Sequence, residues 1–294
     1  MELYDFIITI YCIVDDFCKK EFPCRSLRAR GFDPKLSDSE VIMMEVVGEY
    51  LGFHNDKEIY KYFQRHWKTL FTTMPDRSNF ARQAANLWKV KHALFEHIQR
   101  PESDWLEIVD AIPVEVCKFI RAKRSKLFKT TAAYGKWFGR TFFGFRVHIK
   151  ITLKGMIRSF ILAPSNIHEI NFLEDLLEDD HDVWALGDKA YRSAPLEAQL
   201  WHERKVYLHT SKRRNESRQS PLPKATIRRL TGIRRLVETV NGQLEQQFSI
   251  KSTLARDVWH LFNRIIRKIL SHTFGVFLNM QLNRDPLKLK SVIA

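Results

Sequence analysis

Apolar residues over roughly the first hundred positions recur with a helical period. Leu3, Phe6, Ile7, Ile10, Val14 and Phe17 share one face, which predicts an amphipathic helix with that face buried. Ser37 followed by Glu40 is a capping-box pattern, and Val41, Met44 and Leu51 continue a buried stripe behind it. A second helix is expected from about Asn55. A third is expected from about Ser78, with Phe80, Ala84, Leu87 and Leu94 inside and Arg77, Arg82, Lys89 and Lys91 outside. The segment to residue 100 therefore reads as all-helical.

The period changes after Pro101. Trp105 to Asp110 is a short apolar run of strand length, and Phe145, Val147, Ile149 and Ile151 alternate with Arg146, His148, Lys150 and Thr152. Lys154-Gly155 supplies turn chemistry before Met156 to Leu162, which makes this pair an antiparallel hairpin. A helix from Ile167 to Leu177, a strand from Val183 to Gly187, a helix from Pro195 to Glu203 and a strand from Val206 to His209 follow. Ile233, Val237, Val240, Leu244 and Phe248 mark the buried stripe of a helix from Thr231 to Phe248. Beyond it, Trp259, Phe262, Ile265, Ile266, Ile269 and Phe277 give the last helix an apolar side, suited to covering the sheet or joining a partner subunit. The pattern predicts two domains, a helical one over 1–100 and a mixed α/β sheet flanked by helices over 101–294.

Charge narrows the partners. The chain of 294 residues carries 48 Lys and Arg against 34 Asp and Glu, a formal charge of +14, which suits a protein that approaches a polyanion. The cations Arg121, Lys123, Arg124, Lys126, Lys129, Lys136 and Arg140 fall in one segment read as a loop, with Trp137 and Phe138 interleaved. Ser211 to Lys224 is a second basic loop. The helix carrying Arg77 and Arg82 is a candidate for a DNA groove, as well as a plain solvated face. The run Phe6 to Val14 is too short to span a bilayer and the start Met1-Glu2-Leu3 lacks a signal's basic opening, so a cytoplasmic location is expected. Cys12, Cys18 and Cys24 are separated by five residues each, a spacing that fits neither a zinc knuckle nor a disulfide framework, and Cys117 stands alone.

The candidate chemistry is carboxylate. Asp110 and Asp188 each end an apolar strand, where a rigid backbone presents the side chain at a sheet edge; Asp also simply caps turns there. Glu238 lies beside the buried stripe of its helix, with Arg234 one turn earlier, so either a salt bridge or a metal ion neutralises it. His148 sits on the alternating polar face of its strand, which fits a DNA-facing or a structural role.

Four ordered blocks carry a resemblance: Ile108-Val109-Asp110-Ala111-Ile112-Pro113, Gly144-Phe145-Arg146-Val147-His148-Ile149-Lys150, Gly187-Asp188-Lys189-Ala190-Tyr191, and Arg234-Arg235-Leu236-Val237-Glu238 through Leu244. Together they resemble the DDE transposases of bacterial insertion sequences, from about residue 100 to the end of the helix carrying Glu238. The resemblance implies a ribonuclease-H-like catalytic domain preceded by a helical DNA-binding domain. It also implies an Asp110, Asp188 and Glu238 triad, two divalent ions (magnesium or manganese) bridged by Asp110, and binding of terminal inverted repeats and target DNA. Arg234 and Lys189 become candidate DNA contacts with Arg121, Lys123, Arg124, Lys126, Arg77 and Arg82, and two cuts at two element ends suggest a homodimer. Thr231 and Glu245 stand where many relatives have Tyr and Lys, which makes Glu245 a rival third ligand and leaves the grip on the DNA end open. A nuclease of the same fold and a catalytically silent DNA-binding regulator are the competing readings.

Overall fold

The computed structural model describes residues 1–22, 33–99, 104–211 and 222–293. In chain order its helices are α1 (Leu3–Glu21), α2 (Asp38–Tyr50), α3 (Asp56–His66), α4 (Arg77–Asn86), α5 (Trp88–Gln99), α6 (Phe119–Ala122), α7 (Leu173–Leu176), α8 (Ala194–Arg204), α9 (Lys224–Arg234), α10 (Leu236–Gln246) and α11 (Val258–Gln281). Its strands are β1 (Leu106–Cys117), β2 (Ala133–Trp137), β3 (Arg140–Thr152), β4 (Ile157–Pro164), β5 (Trp184–Gly187) and β6 (Tyr207–Thr210). The chain forms two compact units: Met1–Gln99 with Gln246–Thr253 and Trp259–Ala294, and Arg100–Glu245 with Leu254–Val258.

The first unit is helical among its described residues. α1 buries Phe6, Ile7, Ile10, Val14 and Phe17, the face its periodicity marks. Ser37 caps α2 by accepting from the Glu40 amide at 3.1 Å, while Glu40 accepts from the Ser37 amide at 2.6 Å, so two otherwise orphaned donors are satisfied reciprocally. Asn55 caps α3 one way, its Oδ1 accepting from the Glu58 amide at 2.9 Å. The predicted third helix is two helices, interrupted at Leu87, and Lys91 is not on an outer cationic face but fully buried. Arg77 and Arg82 are exposed, the latter donating to Asn79 at 2.8 Å.

Lys91 is buried because α2 is buried on every side, including Glu45 and Glu49. Isolated charges there would be prohibitive, and a closed network neutralises them. Lys91 lies 2.6 Å from Glu45; Arg267 reaches Glu49 at 2.7 Å, Glu45 at 3.1 Å and Asp56 at 2.6 Å; Lys268 reaches Glu49 at 2.9 Å. Burial by itself would push Glu49 and Asp56 upward, but the Arg267 charge beside both, joined by Lys268 at Glu49, holds them below the usual carboxylate range. This network also explains a departure from the expected domain division, which assigned all of 101–294 to the sheet domain. Arg267 and Lys268 complete a charge balance inside the first unit, and α11 from Trp259 onward belongs there; an apolar stripe alone does not say which core it joins.

The second unit is a mixed sheet of six strands, β2-β3-β1-β5-β6 with β4 also on β3. β1 runs antiparallel to β3 and parallel to β5, and β5 parallel to β6. β1 is longer than expected, continuing through Pro113, in a stretch where β3 is its strand neighbour and a missing N–H is tolerated. Residues 121–140, read as a loop, contain the end of α6 and all of β2. β2 escaped detection because its pairing partner, the amino-terminal half of β3, supplies its order. The helix expected over 167–177 is a 3-10 turn, Glu169–Phe172, followed by the single turn α7. The helix expected over 231–248 is broken at Arg235, between α9 and α10. The basic loop from Ser211 to Lys224 falls largely outside the described residues, as does Cys24; Cys12, Cys18 and Cys117 are free thiols. Among the described residues, no helix is long and apolar enough to cross a membrane.

Replacing Arg267 with Met leaves Glu45, Glu49 and Asp56 short of a cation in a buried place, and is expected to cost roughly 3 to 5 kcal/mol in chemical denaturation. Lys288→Met, at an exposed pair 4.0 Å from Asp285, is expected to cost less than about 1 kcal/mol. Since the folded pKa values of Glu49 and Asp56 are depressed, their contribution is complete above roughly pH 4 and is lost as the pH falls through the folded values. A wild-type protein whose denaturation midpoint does not fall in acid would contradict this assignment.

Candidate active site

The position of the candidate site follows from strand register. β1 and β5 pair in parallel, with Leu106 beside Trp184 and Ile108 beside Leu186. Continuing that register by two residues sets Asp110 level with Asp188. β5 ends at Gly187, so Asp188 leaves the sheet and caps the 3-10 turn Lys189–Tyr191, its Oδ1 accepting from the Ala190 amide at 2.6 Å. Asp110 does not end its own strand, as the sequence suggested; it lies just past the point where β1 loses β5 as a neighbour. A crevice beyond the carboxyl end of a parallel strand is a common place for ligands in α/β sheets.

Tight packing fixes the turn. A Cβ at Gly187 would lie 3.1 Å from the Tyr191 side chain, so glycine lets Tyr191 fold back over the strand end. Tyr191 is fully buried, and its hydroxyl has no hydrogen-bond partner. Asp110 is reached from the other side by α10: Asn241 Nδ2 donates to its Oδ2 at 2.7 Å, while the Asn241 Oδ1 is buried and unpaired. Burial raises the Asp110 carboxyl to about 6; the Ala111 amide opposes this, the Asp188 charge adds to it, and Arg234 and Asn241 oppose it further.

Glu238 stands apart. It lies one turn before Asn241 on the same side of α10, yet its side chain is 62% exposed and faces Arg234 at 3.6 Å. The structure thus brings Asp110 and Asp188 together and leaves Glu238 outside. Among the described residues, no group of three or more His, Cys, Asp or Glu side chains is close enough to hold a metal ion. Glu245 is exposed on the same helix.

A carboxylate that the sequence did not single out enters instead. Glu169, at the start of the 3-10 turn packed against Lys189–Tyr191, is nearly buried and lies 2.9 Å from Arg146. Burial raises it to about 7, against the pull of Arg146 and with the help of the charges on Asp188 and Asp110, so all three carboxylates share one electrostatic field. Arg146 also donates to the Lys136 carbonyl at 2.9 Å, which ties β2 to this wall of the site. A nearly buried Arg or Glu looks no different in sequence from an exposed one, and nothing in the run Asn166 to Glu169 marks it.

The remaining candidates divide by exposure. His148 is not at the surface: it is fully buried against Phe172 at 4.7 Å with both ring nitrogens unpaired, and burial, with the Arg146 charge, lowers it to about 4. It is a neutral packing residue at ordinary pH. Lys189, Arg121, Lys123, Arg124 and Lys126 are exposed.

A family model described as Transposase DDE domain matches residues 100–258. No curated protein and no solved structure matches the chain.

The raised carboxyls predict a stability signature. A carboxyl whose folded pKa lies above its ordinary value contributes stability that is present below roughly pH 4 and lost as the pH rises through the folded value, here about 6 for Asp110 and about 7 for Glu169. In EDTA, the metal-free protein is therefore expected to lose stability between pH 5 and 8. Glu169→Gln should flatten this slope and stabilise the protein at pH 8 by something on the order of 1 to 3 kcal/mol. Denaturation at the two pH values checks it, and an unchanged slope in the variant would count against a desolvated Glu169.

Proposed function

The chain belongs to the DDE-domain transposases of the insertion-sequence type, and on that premise we propose that it binds the terminal inverted repeats of its element and catalyses strand cleavage and strand transfer. The observation that supports this reading is the register of β1 and β5, whose continuation by two residues puts Asp110 level with Asp188 just beyond the parallel pair. The mixed sheet accords with the ribonuclease-H-like fold that such a domain implies.

Asp110, Asp188 and Glu238 are the proposed holders of two divalent ions, magnesium or manganese. The donor set fits hard cations: two carboxylates whose repulsion the Arg234 charge offsets only in part, with the unpaired carbonyl oxygen of Asn241 beside them. Such ions, when bound, stabilise charge on the attacking and leaving oxygens of a phosphodiester. The chain's own residues do the rest. Asn241 holds Asp110 in place, Arg234 restrains Glu238 until the DNA and ions arrive, and Lys189 with Arg121, Lys123, Arg124 and Lys126 meets phosphates. The helical unit, through Arg77 and Arg82, contributes end binding, and the active assembly is a homodimer on paired ends.

One observation favours a second reading. Glu238 is largely exposed and faces Arg234 at 3.6 Å, and no three acidic groups are gathered among the described residues, which suits a regulator that binds ends without cutting them. Labelled DNA carrying both element ends, incubated with magnesium or EDTA and with wild type, Asp188→Ala or Glu238→Gln, separates the two. Metal-dependent cleavage and joining, reduced by 100-fold or more (on the order of the loss for a mutated catalytic group) in either variant, is the expected result. End binding without any product from wild type would establish the regulator, and cleavage without joining would indicate a nuclease.

A further inference from the structure

Between Lys118 and Arg140 the chain carries eight Lys and Arg residues and no Asp or Glu. This stretch ends in the β2–β3 hairpin, whose turn residues Phe138 and Gly139 are closed by the Trp137 and Arg140 pair. Both turn residues have positive φ, 45° at Phe138 and 77° at Gly139. Turns of this kind select Asn-Gly or Gly-Gly, because a bulky side chain at positive φ meets its own backbone. Phe138 is in addition 91% exposed, with its ring edge-on to Trp137 at 5.2 Å.

Phe128 makes the contrast. It too has positive φ, 58°, but it is buried with its ring against Phe145 at 5.7 Å, so core packing offsets the strain. Phe138 gains no such burial. A residue that is both strained and apolar at a solvent-exposed tip points to a contact outside the chain. The charge around it says which kind: Lys136 and Arg140 flank the tip, and a cleft of about 350 Å³ behind it is lined by Tyr134, Lys136, Arg146 and His168 among others. The same Arg146 pairs with Glu169 and holds the Lys136 carbonyl, so the hairpin is anchored to the wall of the candidate site.

We propose that Phe138 is a stacking platform for an unpaired DNA base, with the strand's phosphates held by the cations of the hairpin and of the segment preceding it. The choice of DNA rests on the transposase reading; the choice of an unpaired base rests on the exposed face of the ring, since every base offers a π-face and one stacked within a duplex does not expose it.

The test uses the full-length protein and two short duplexes, one blunt and one with a single-stranded 3′ overhang containing the fluorescent base 2-aminopurine. Wild type is expected to prefer the overhang and to quench the probe. Phe138→Asn should lose that preference by roughly 5- to 100-fold while binding blunt duplex as before, and its Tm should rise by a few degrees because Asn suits the turn. Phe138→Trp should retain preference and quenching. A structural role would instead lower the Tm of Phe138→Asn, and Phe138→Gly provides a second turn-compatible variant. An equal preference in wild type and Phe138→Asn, or none in wild type, overturns the proposal. So does loss of self-association in Phe138→Asn with DNA binding intact, which would assign the tip to a protein interface. Wild type that binds neither duplex would undermine the transposase reading as well, whereas blunt binding without an overhang preference removes this inference alone.

Discussion

The parallel pairing of β1 with β5 imposes the central constraint, because its register, continued by two residues, brings Asp188 level with Asp110, whose carboxyl is desolvated. Neither desolvation nor like-charge proximity is favourable, and both act on Asp110. The fold offsets them partially: the Ala111 amide, the Asn241 side chain and the Arg234 charge each favour the ionised form, yet the carboxyl stays near 6. Around that pair the neighbouring parts take their places. Gly187 makes room for Tyr191, the turn after Asp188 packs on the turn carrying Glu169, and Glu169 holds Arg146.

The first unit shows what a fully compensated alternative looks like. Glu45 and Glu49 are as buried as any group in the molecule, but cations from α5 and α11 lie within 3.1 Å of both. Arg267 and Lys268 outweigh the cost of burial, so Glu49 is held down rather than pushed up. Perturbed carboxylates occur in both units, and the balance of terms differs: at Glu49 two nearby cations outweigh desolvation, whereas at Asp110 and Glu169 desolvation outweighs the cation beside them. The charge cluster of α2 and α11 is architecture, and the carboxylates near the end of β5 are the ones the proposed function draws on.

The sequence was most legible where a single element decides the outcome. The face of α1, the Ser37 capping box and the strand bearing Val147, Ile149 and Ile151 depend on local period and local hydrogen bonds, and the structure has them. Asp110 and Asp188 were identifiable because both follow apolar strand residues, although their alignment depends on a register that no local signal contains. What escaped was decided by distant partners. Lys91 seemed an outer cation until Glu45 from another helix buried it, His148 seemed polar-facing until Phe172 covered it, and α11 has an apolar stripe compatible with either core. Glu169 carries no pattern at all, since its role comes from Arg146 and from two aspartates reached through the fold.

The relation between Glu238 and Asn241 is the last piece, and it follows from helix geometry. Val237, Val240 and Leu244 are buried, so α10 cannot rotate to exchange one side chain for the other. Residues three apart lie on the same side of a helix, about one turn from each other, so Asn241 at Asp110 already fixes where the Glu238 backbone stands. Any approach of the Glu238 carboxylate to the aspartates is therefore a side-chain movement, and it starts from the contact with Arg234. Arg234 is also a cation that favours the charged form of Asp110. It thus serves both carboxylates in the absence of metal, and a divalent ion entering between them would supply the same sign of charge at shorter range. If Asp110, Asp188 and Glu238 hold metal as proposed, a change of the Glu238 rotamer with α10 in place would join the three acidic groups.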